Sequence, residues 1–348
     1  MAYSTISKPS LHFNTATYAG NGGTNAITGL GFQPDMVWTK NRSAVANHLL
    51  YDAVRGAGYY LYPNLTNGQG GNGTSALDSF DSDGFTLDGG DDSNVNGQNG
   101  VAWTWKGGNS SGSSNTDGSI TSTVSVNTTA GFSIVKYTGT GATATVGHGL
   151  GAVPGMLLIK RYSDAGEQWT MYHKSLGNTK HILFTTGAAV TQANYWNDTS
   201  PTSSVWTMGN QSEINGSGTN NICYAFAEKK GYSKIGSYTG NGNADGPFVY
   251  TGFAPAFVIA KNSAISDWWS IFDNKRLGFN SSDSPRLLFP SANSAESTTK
   301  MLDFTSNGFK IRSSNTGVNG NGNKTIYMAF AEEPLVANVG ASIPATAK

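Results

Sequence analysis

The side chains that could do chemistry are few. The chain has five histidines, one cysteine, 22 acidic and 22 basic residues. Metal catalysis or metal-dependent folding needs ligands at fixed spacings, and His12, His48, His148, His173 and His181 form neither a His-Glu-x-x-His pair nor any other ligand spacing. Nucleophilic catalysis needs an activated serine or cysteine. No Gly-x-Ser-x-Gly elbow occurs, and Cys223 sits in the apolar run Ile222-Cys223-Tyr224-Ala225-Phe226, which reads as a strand with a core cysteine. A lone cysteine closes no intrachain disulfide. Nothing in the spacing of the acidic residues marks the carboxylate pair of a glycosidase. The expectation is a protein without an enzymatic activity and without a cofactor.

Three weaker groups remain. Asp78, Asp81 and Asp83 alternate before Gly84, a faint echo of a calcium loop with Asp88, Asp91 and Asp92 nearby, but the rest of the pattern and its terminal glutamate are absent. The alternative is an Asp-rich turn, and no metal is expected. Lys40, Lys160 and Lys261 each follow a similar apolar run, which favours a shared structural role over three identical binding sites. Among the aromatics, Trp268 adjoins Trp269 and should face the opposite way along a strand, toward the surface. Tyr195-Trp196-Asn197-Asp198 lies in a loop-like stretch. Exposed rings beside Asn and Asp suit stacking and hydrogen bonding to a sugar, and suit protein interfaces equally. Tyr195, Trp196, Asn197, Asp198 and Trp268 are therefore the candidate glycan- or partner-binding residues.

The elements that must position these residues occur three times. A strand-like run follows a proline at Pro34-Asp35-Met36-Val37-Trp38-Thr39-Lys40, at Pro154-Gly155-Met156-Leu157-Leu158-Ile159-Lys160 and at Pro255-Ala256-Phe257-Val258-Ile259-Ala260-Lys261. Each is apolar on both faces, as a central buried strand would be. Further elements follow in the same order: His48–Asp52, Trp169–His173 and Trp269–Asp273; then Tyr60–Pro63, Ile182–Phe184 and Leu287–Pro290; then Ser82–Leu87, Ser203–Met208 and Ser306–Ile311. Asn96-Gly97, Asn215-Gly216 and Asn319-Gly320 come next and signal hairpin turns, because both residues tolerate positive φ. Val101–Trp105, Ile222–Phe226 and Ile326–Phe330 close each copy.

No window holds a sustained helical period. The chain is therefore expected to be all-β, with little helix, as three tandem β-sandwich domains, jelly-roll rather than immunoglobulin-like. The boundaries are 1–107, 117–229 and 230–334, with a flexible Gly/Ser linker over 108–116 and a weakly ordered or partner-bound tail over 335–348. Ile120–Val126 is expected to add an edge strand to the second unit.

Glycine is 45 of 348 residues and charged residues are 13%, about half the usual ~25%. The net charge is zero, so no basic footprint for nucleic acid or anionic lipid exists. No apolar run is long enough to insert in a membrane. The start, Met1-Ala2-Tyr3-Ser4-Thr5, lacks the charged and apolar regions of a signal peptide.

The run Gly31-Phe32-Gln33-Pro34-Asp35-Met36-Val37-Trp38-Thr39-Lys40-Asn41-Arg42-Ser43 resembles the opening of a family of bacteriophage structural proteins frequent among marine phages. Phe80–Leu87, Val101–Lys106, Asn115–Ser125, the Val146–Gly151 turn and Tyr327–Glu332 are similar to its later blocks, so the resemblance covers nearly the whole chain. Val205 departs from it where the family has glycine. The resemblance implies a virion component built of lectin-like β-sandwiches, assembled in the host cytoplasm, and carries no catalytic residues. The expected role is a non-enzymatic tail-fibre or spike component contacting host surface polysaccharide. Its partners would be other virion proteins, and its state a homo-oligomer, with a trimer favoured. A capsid decoration or cement protein and a tail-associated glycan-degrading enzyme are the alternatives.

Overall fold

The computed structural model describes residues 4–71, 76–89, 92–276, 280–281 and 285–334. Asp91 and the tail over 335–348 lie outside them. The chain is all-β. Among the described residues, helix is confined to one-turn pieces at Pro9–Leu11, Ser212–Asn215 and Thr316–Asn319, and no helix is long and apolar enough to cross a membrane.

Every strand pairing within the sheets is antiparallel, and each third of the chain contributes one large and one small sheet. In the first, Phe13–Ala19, Asn99–Trp105, Met36–Asn41, His48–Asp52 and Tyr60–Leu61 lie side by side, and Asn25–Thr28, Gly84–Leu87 and Leu77–Asp81 form the small sheet. In the last, the large sheet runs Ser233–Thr239, Lys324–Pro334, Phe253–Asn262, Ser270–Asp273, and the small one Phe248–Tyr250, Gly308–Ile311, Leu302–Thr305. The middle third has the widest sheet, with Ser122–Asn127 and Ser113–Asn115 added beyond Phe132–Thr138. Its small sheet is only Ala144–Gly147 with Val205–Met208. The glycine has changed strands there relative to the other two units. Thr28 faces Gly84 and Tyr250 faces Gly308, whereas Gly147 faces Val205.

Period-two alternation explains the apolar runs. Along Met36–Asn41, Val37 turns to its own small sheet, where it meets Ile27, Leu77 and Phe85. Met36 and Trp38 turn the other way. The same division holds for Leu157 against Met156 and Leu158, and for Val258 against Phe257 and Ile259. These antiparallel strands are buried on both faces, so they lack the in/out polarity that such strands usually show.

The second faces meet each other. Trp38, Trp103 and Trp105 of the first unit, Leu158, Tyr224 and Phe226 of the second, and Phe257, Met328 and Phe330 of the third form one cluster. Trp105 stands at its centre, with ring centroids 6.3 Å from Phe226 and 5.8 Å from both Phe257 and Phe330. Only about 10 Å³ of void remains among Met36, Trp105, Met156, Phe226, Phe257 and Met328. At about 1.5–3 kcal/mol for each large apolar side chain removed from water, this shared core is a principal source of stability.

Polar bonds repeat around the cluster, each unit reaching to the next. Trp169 donates its indole N–H to the Tyr62 carbonyl (2.9 Å) and Trp269 to the Leu183 carbonyl (3.1 Å), while His48 holds the matching place against the backbone of Phe289. Tyr224 donates its hydroxyl to Asp52 (2.7 Å) and Trp103 its indole N–H to Asp273 (2.9 Å). In the third such place Met328 has no donor. The acidic residue there is replaced by His173, whose Nε2 lies 3.2 Å from the Tyr327 carbonyl. Donor and acceptor have changed together.

Two expectations need correction. The stretch over 108–116 is not a free linker. Gly107 and Asn109 donate backbone N–H groups to the buried Asp35 carboxylate (2.7 and 3.1 Å), and Ser113–Asn115 is the edge strand of the middle sheet. Gly/Ser composition permits flexibility only where the backbone finds no partner. The Asn-Gly pairs are not equivalent hairpin turns either. Gly97 has φ +73, but Gly216 and Gly320 have φ −58 and −57 and follow the one-turn helices. There the asparagine matters through its side chain. Asn215 and Asn319 are buried and tie their turn to the facing loop at Ala142 and Asn243. Their counterpart in the first unit is Asn94, one residue after Ser93, whose carbonyl accepts from Tyr18 as those of Ile214 and Val318 accept from Tyr137 and Tyr238.

Candidate functional site

Tyr195 and Trp196 are buried, 3% and 1% exposed, and cannot present a face to a sugar. The Tyr195 ring stacks on His181 with centroids 3.6 Å apart, and the Trp196 indole N–H donates to the Lys180 carbonyl (2.9 Å). The segment folds inward because the middle unit lacks a third strand in its small sheet, and these rings help fill its core. Asn197 and Asp198 are exposed with φ +50 and +47, forming the tight bend that returns the chain. Trp268 is 43% exposed and tilts against Phe289 with centroids 5.9 Å apart. The structure therefore does not bring the five residues together.

The acidic turn is used internally. Asp81 accepts from Ser79 and Thr86 (both 2.8 Å), and Asp83 accepts from the Gly29 and Gly31 amides (3.1 and 2.6 Å), pinning the turn that leads into the Met36 strand. Asp78 is exposed. Among the described residues no three His, Cys, Asp or Glu side chains gather as a metal site.

The three lysines are fully buried, and each ammonium is caged by carbonyls. Lys261 donates to Asn262 (2.8 Å), Ile265 (3.1 Å) and Thr186 of the preceding unit (3.2 Å). Lys160 donates to Glu167 and to Thr66 of the first unit (3.1 Å), and Lys40 to Asn41 (2.6 Å). They hold the loops at the strand ends and offer nothing to a ligand.

An open groove lies in the first unit. It measures about 520 Å³, within the range of small-ligand sites, and is lined by Leu49, Tyr60, Tyr62, Asp92, Asn94 and Asn96. Tyr60 and Tyr62 flank Leu61, so alternation sends both rings to the side opposite the shared core. Their rings are edge-to-face at 5.2 Å, with the hydroxyls 3.4 Å apart. Asp92 accepts the Asn47 amide (2.8 Å) through one oxygen and Asn94 is tied into its loop, which fixes the polar wall. Half-buried aromatic rings beside a carboxylate and amides match the flat face and vicinal hydroxyls of a sugar. The corresponding places elsewhere are closed. His181 lies under Tyr195, and Phe289 lies against Trp268. Strand pairing of Leu50 with Leu61, Met171 with Ile182 and Ile271 with Leu288 sets Tyr60-Leu61-Tyr62 against His181-Ile182-Leu183 and Leu287-Leu288-Phe289, one residue earlier in the middle unit than the sequence repeat suggested, so the aromatic-Leu-aromatic pattern belongs to the first unit.

Burial holds the histidines neutral. His173 and His181 are lowered to about 4 from an ordinary 6.5, and His12, His48 and His148 are also lowered, in each case chiefly by desolvation. The unfolded chain therefore binds more protons between about pH 6.5 and 4, and stability falls as pH drops through that window. Lys40, Lys160 and Lys261 are lowered to about 8 from 10.5, again chiefly by desolvation. Here too the unfolded chain holds more protons between the two values, so these lysines add stability as pH rises from about 8 toward 10.5. Buried Tyr137 and Tyr224 are raised, which opposes this once the unfolded tyrosines ionise near pH 10. Melting midpoints should fall from pH 7 to 4.5 and rise from pH 8 to 9.5. A flat profile in a thermal denaturation series would contradict these assignments. The Cys223 thiol is raised well above its ordinary value by burial, which removes the thiolate a nucleophile needs.

Residues 8–334 match the family model described as a domain of unknown function, DUF7483. No curated protein and no solved structure matches the chain.

Proposed function

The chain belongs to the DUF7483 domain family. We propose that it is a non-enzymatic bacteriophage virion structural protein, a tail-fibre or spike component that contacts host surface glycans. In this reading the three sheet pairs are lectin-like, jelly-roll sandwiches, and the particle uses the chain as a homo-oligomer, a trimer by preference. The observation that carries the glycan contact is the Tyr60/Tyr62 groove with Asp92, Asn94 and Asn96 on its wall. Two further features support the role. Binding loops are most useful on a rigid scaffold, and the shared core makes each unit brace the other two. A surface with few charges binds through hydrogen bonds and ring stacking, and weak contacts of that kind gain by repetition along a fibre. The virion assignment itself rests on the motif resemblance.

The test is placement in the particle. Immunogold labelling of purified virions is expected on the tail or its fibres, with added purified chain slowing phage adsorption to host cells. Labelling over the capsid, with the chain attaching to tailless heads, would favour a decoration protein. Release of sugar fragments from host envelope would move the assignment to the enzyme class.

A further inference from the structure

A second cleft lies where the middle and last units meet. It measures about 490 Å³ and is lined by Glu228, Lys230, Ser233, Lys234, Tyr250 and Thr251. Its chemistry differs from that of the first-unit groove. Tyr250 is 55% exposed, at the end of the edge strand Phe248–Tyr250, and its neighbour on the same face, Phe248, is 48% exposed. The first unit has Ala26 and Thr28 at the corresponding places, opposite Thr86 and Gly84, and the middle unit has Thr145 and Gly147. An aromatic face here is therefore peculiar to the last unit.

The charges are unequal. Glu228 is the one carboxylate on the cleft wall. One of its oxygens accepts from Lys174 (2.5 Å), and the other accepts the Ile235 amide (2.8 Å) and lies 3.5 Å from Lys234. Two ammonium groups thus share a single carboxylate that also accepts a backbone amide. Both are more than a third exposed, so each keeps donors directed to solvent.

We propose that this junction cleft binds an acidic sugar residue, a uronate or its like. Its ring would lie on Tyr250, and its carboxylate would be met by Lys234 and Lys174. The inference rests on the reading of the chain as a glycan-binding protein and adds to it a second subsite of opposite charge preference.

The experiment uses the full chain and a matched pair of probes: oligogalacturonate, and the same oligomer with its carboxyls reduced to alcohols. Titration calorimetry is expected to show saturable binding of the acidic form, at least about tenfold weaker binding of the reduced form, and loss of affinity as salt is raised. Tyr250→Ala and Lys234→Gln should each weaken the acidic probe by about fivefold or more with the melting midpoint unchanged, since both side chains are solvent-facing. Equal binding of the two probes, wild-type affinity in Tyr250→Ala, or no binding of the acidic oligomer would overturn the inference. If host polysaccharide still binds through the Tyr60/Tyr62 groove in any of those cases, the junction subsite alone fails. If no glycan binds at either place, the broader reading fails with it.

Discussion

Replacing Trp105 by alanine is expected to cost about 3–5 kcal/mol, the range for deleting a large buried aromatic. The effect should not stay in the first unit. Trp105 packs on Phe13 of its own sheet, on Phe226 of the middle unit and on Phe257 and Phe330 of the last. Its removal leaves a cavity where all three large sheets meet, and each is anchored by its own small sheet against closing it. Calorimetry should therefore show a single transition moved to lower temperature. A split, in which residues 1–107 melt separately and the remainder keeps its midpoint, would mean that the units are independent.

Asp273→Ala is expected to be nearly as costly, about 3–5 kcal/mol, because it strands a buried charge. Asp273 is inaccessible to solvent. One oxygen accepts from Trp103 of the first unit (2.9 Å) and from Arg276 (2.5 Å). Arg276 is itself fully buried, over the Trp103 ring at 5.5 Å, and its remaining bonds go to the Ile271 and Arg286 carbonyls and to Glu296. Without Asp273 the guanidinium loses its closest carboxylate, and the Trp103 indole N–H is orphaned. The double variant Asp273→Ala/Arg276→Met should recover part of the loss, since the stranded charge is gone. Urea midpoints for the singles and the double measure this directly. A loss below about 1 kcal/mol for Asp273→Ala would show that water reaches the pair.

Much of the strand content was legible because alternation and repetition are local properties. Met36–Lys40 and its two copies read as buried on both faces, and they are. What covers the second face was not legible, since nothing local to Trp38 or Phe257 distinguishes a contact within one sandwich from a contact between three. The same limit misplaced the aromatic site. Tyr195-Trp196 next to Asn197-Asp198 has the composition of an exposed loop, yet the missing strand in the middle unit leaves a space those rings occupy. Tyr60 and Tyr62 look like ordinary strand residues, and only the paired fold shows that their face borders an open groove. The apparent linker failed for a related reason, because Asp35, about seventy residues earlier, supplies the partner its amides need. Trp268, by contrast, could be placed near the surface from its neighbour Trp269 and its polar counterparts Gln168 and Asn47, and it is exposed.

The central claim is that the first-unit groove holds a host glycan. It is tested most directly by titrating polysaccharide fragments from the host surface into the wild-type chain and into Tyr60→Ala/Tyr62→Ala. The account predicts saturable binding to the wild type that changes little with salt. It also predicts a loss of about tenfold or more in a double variant that still melts cooperatively. Binding that survives the double substitution, or a wild-type chain that takes up none of the fragments, would contradict it.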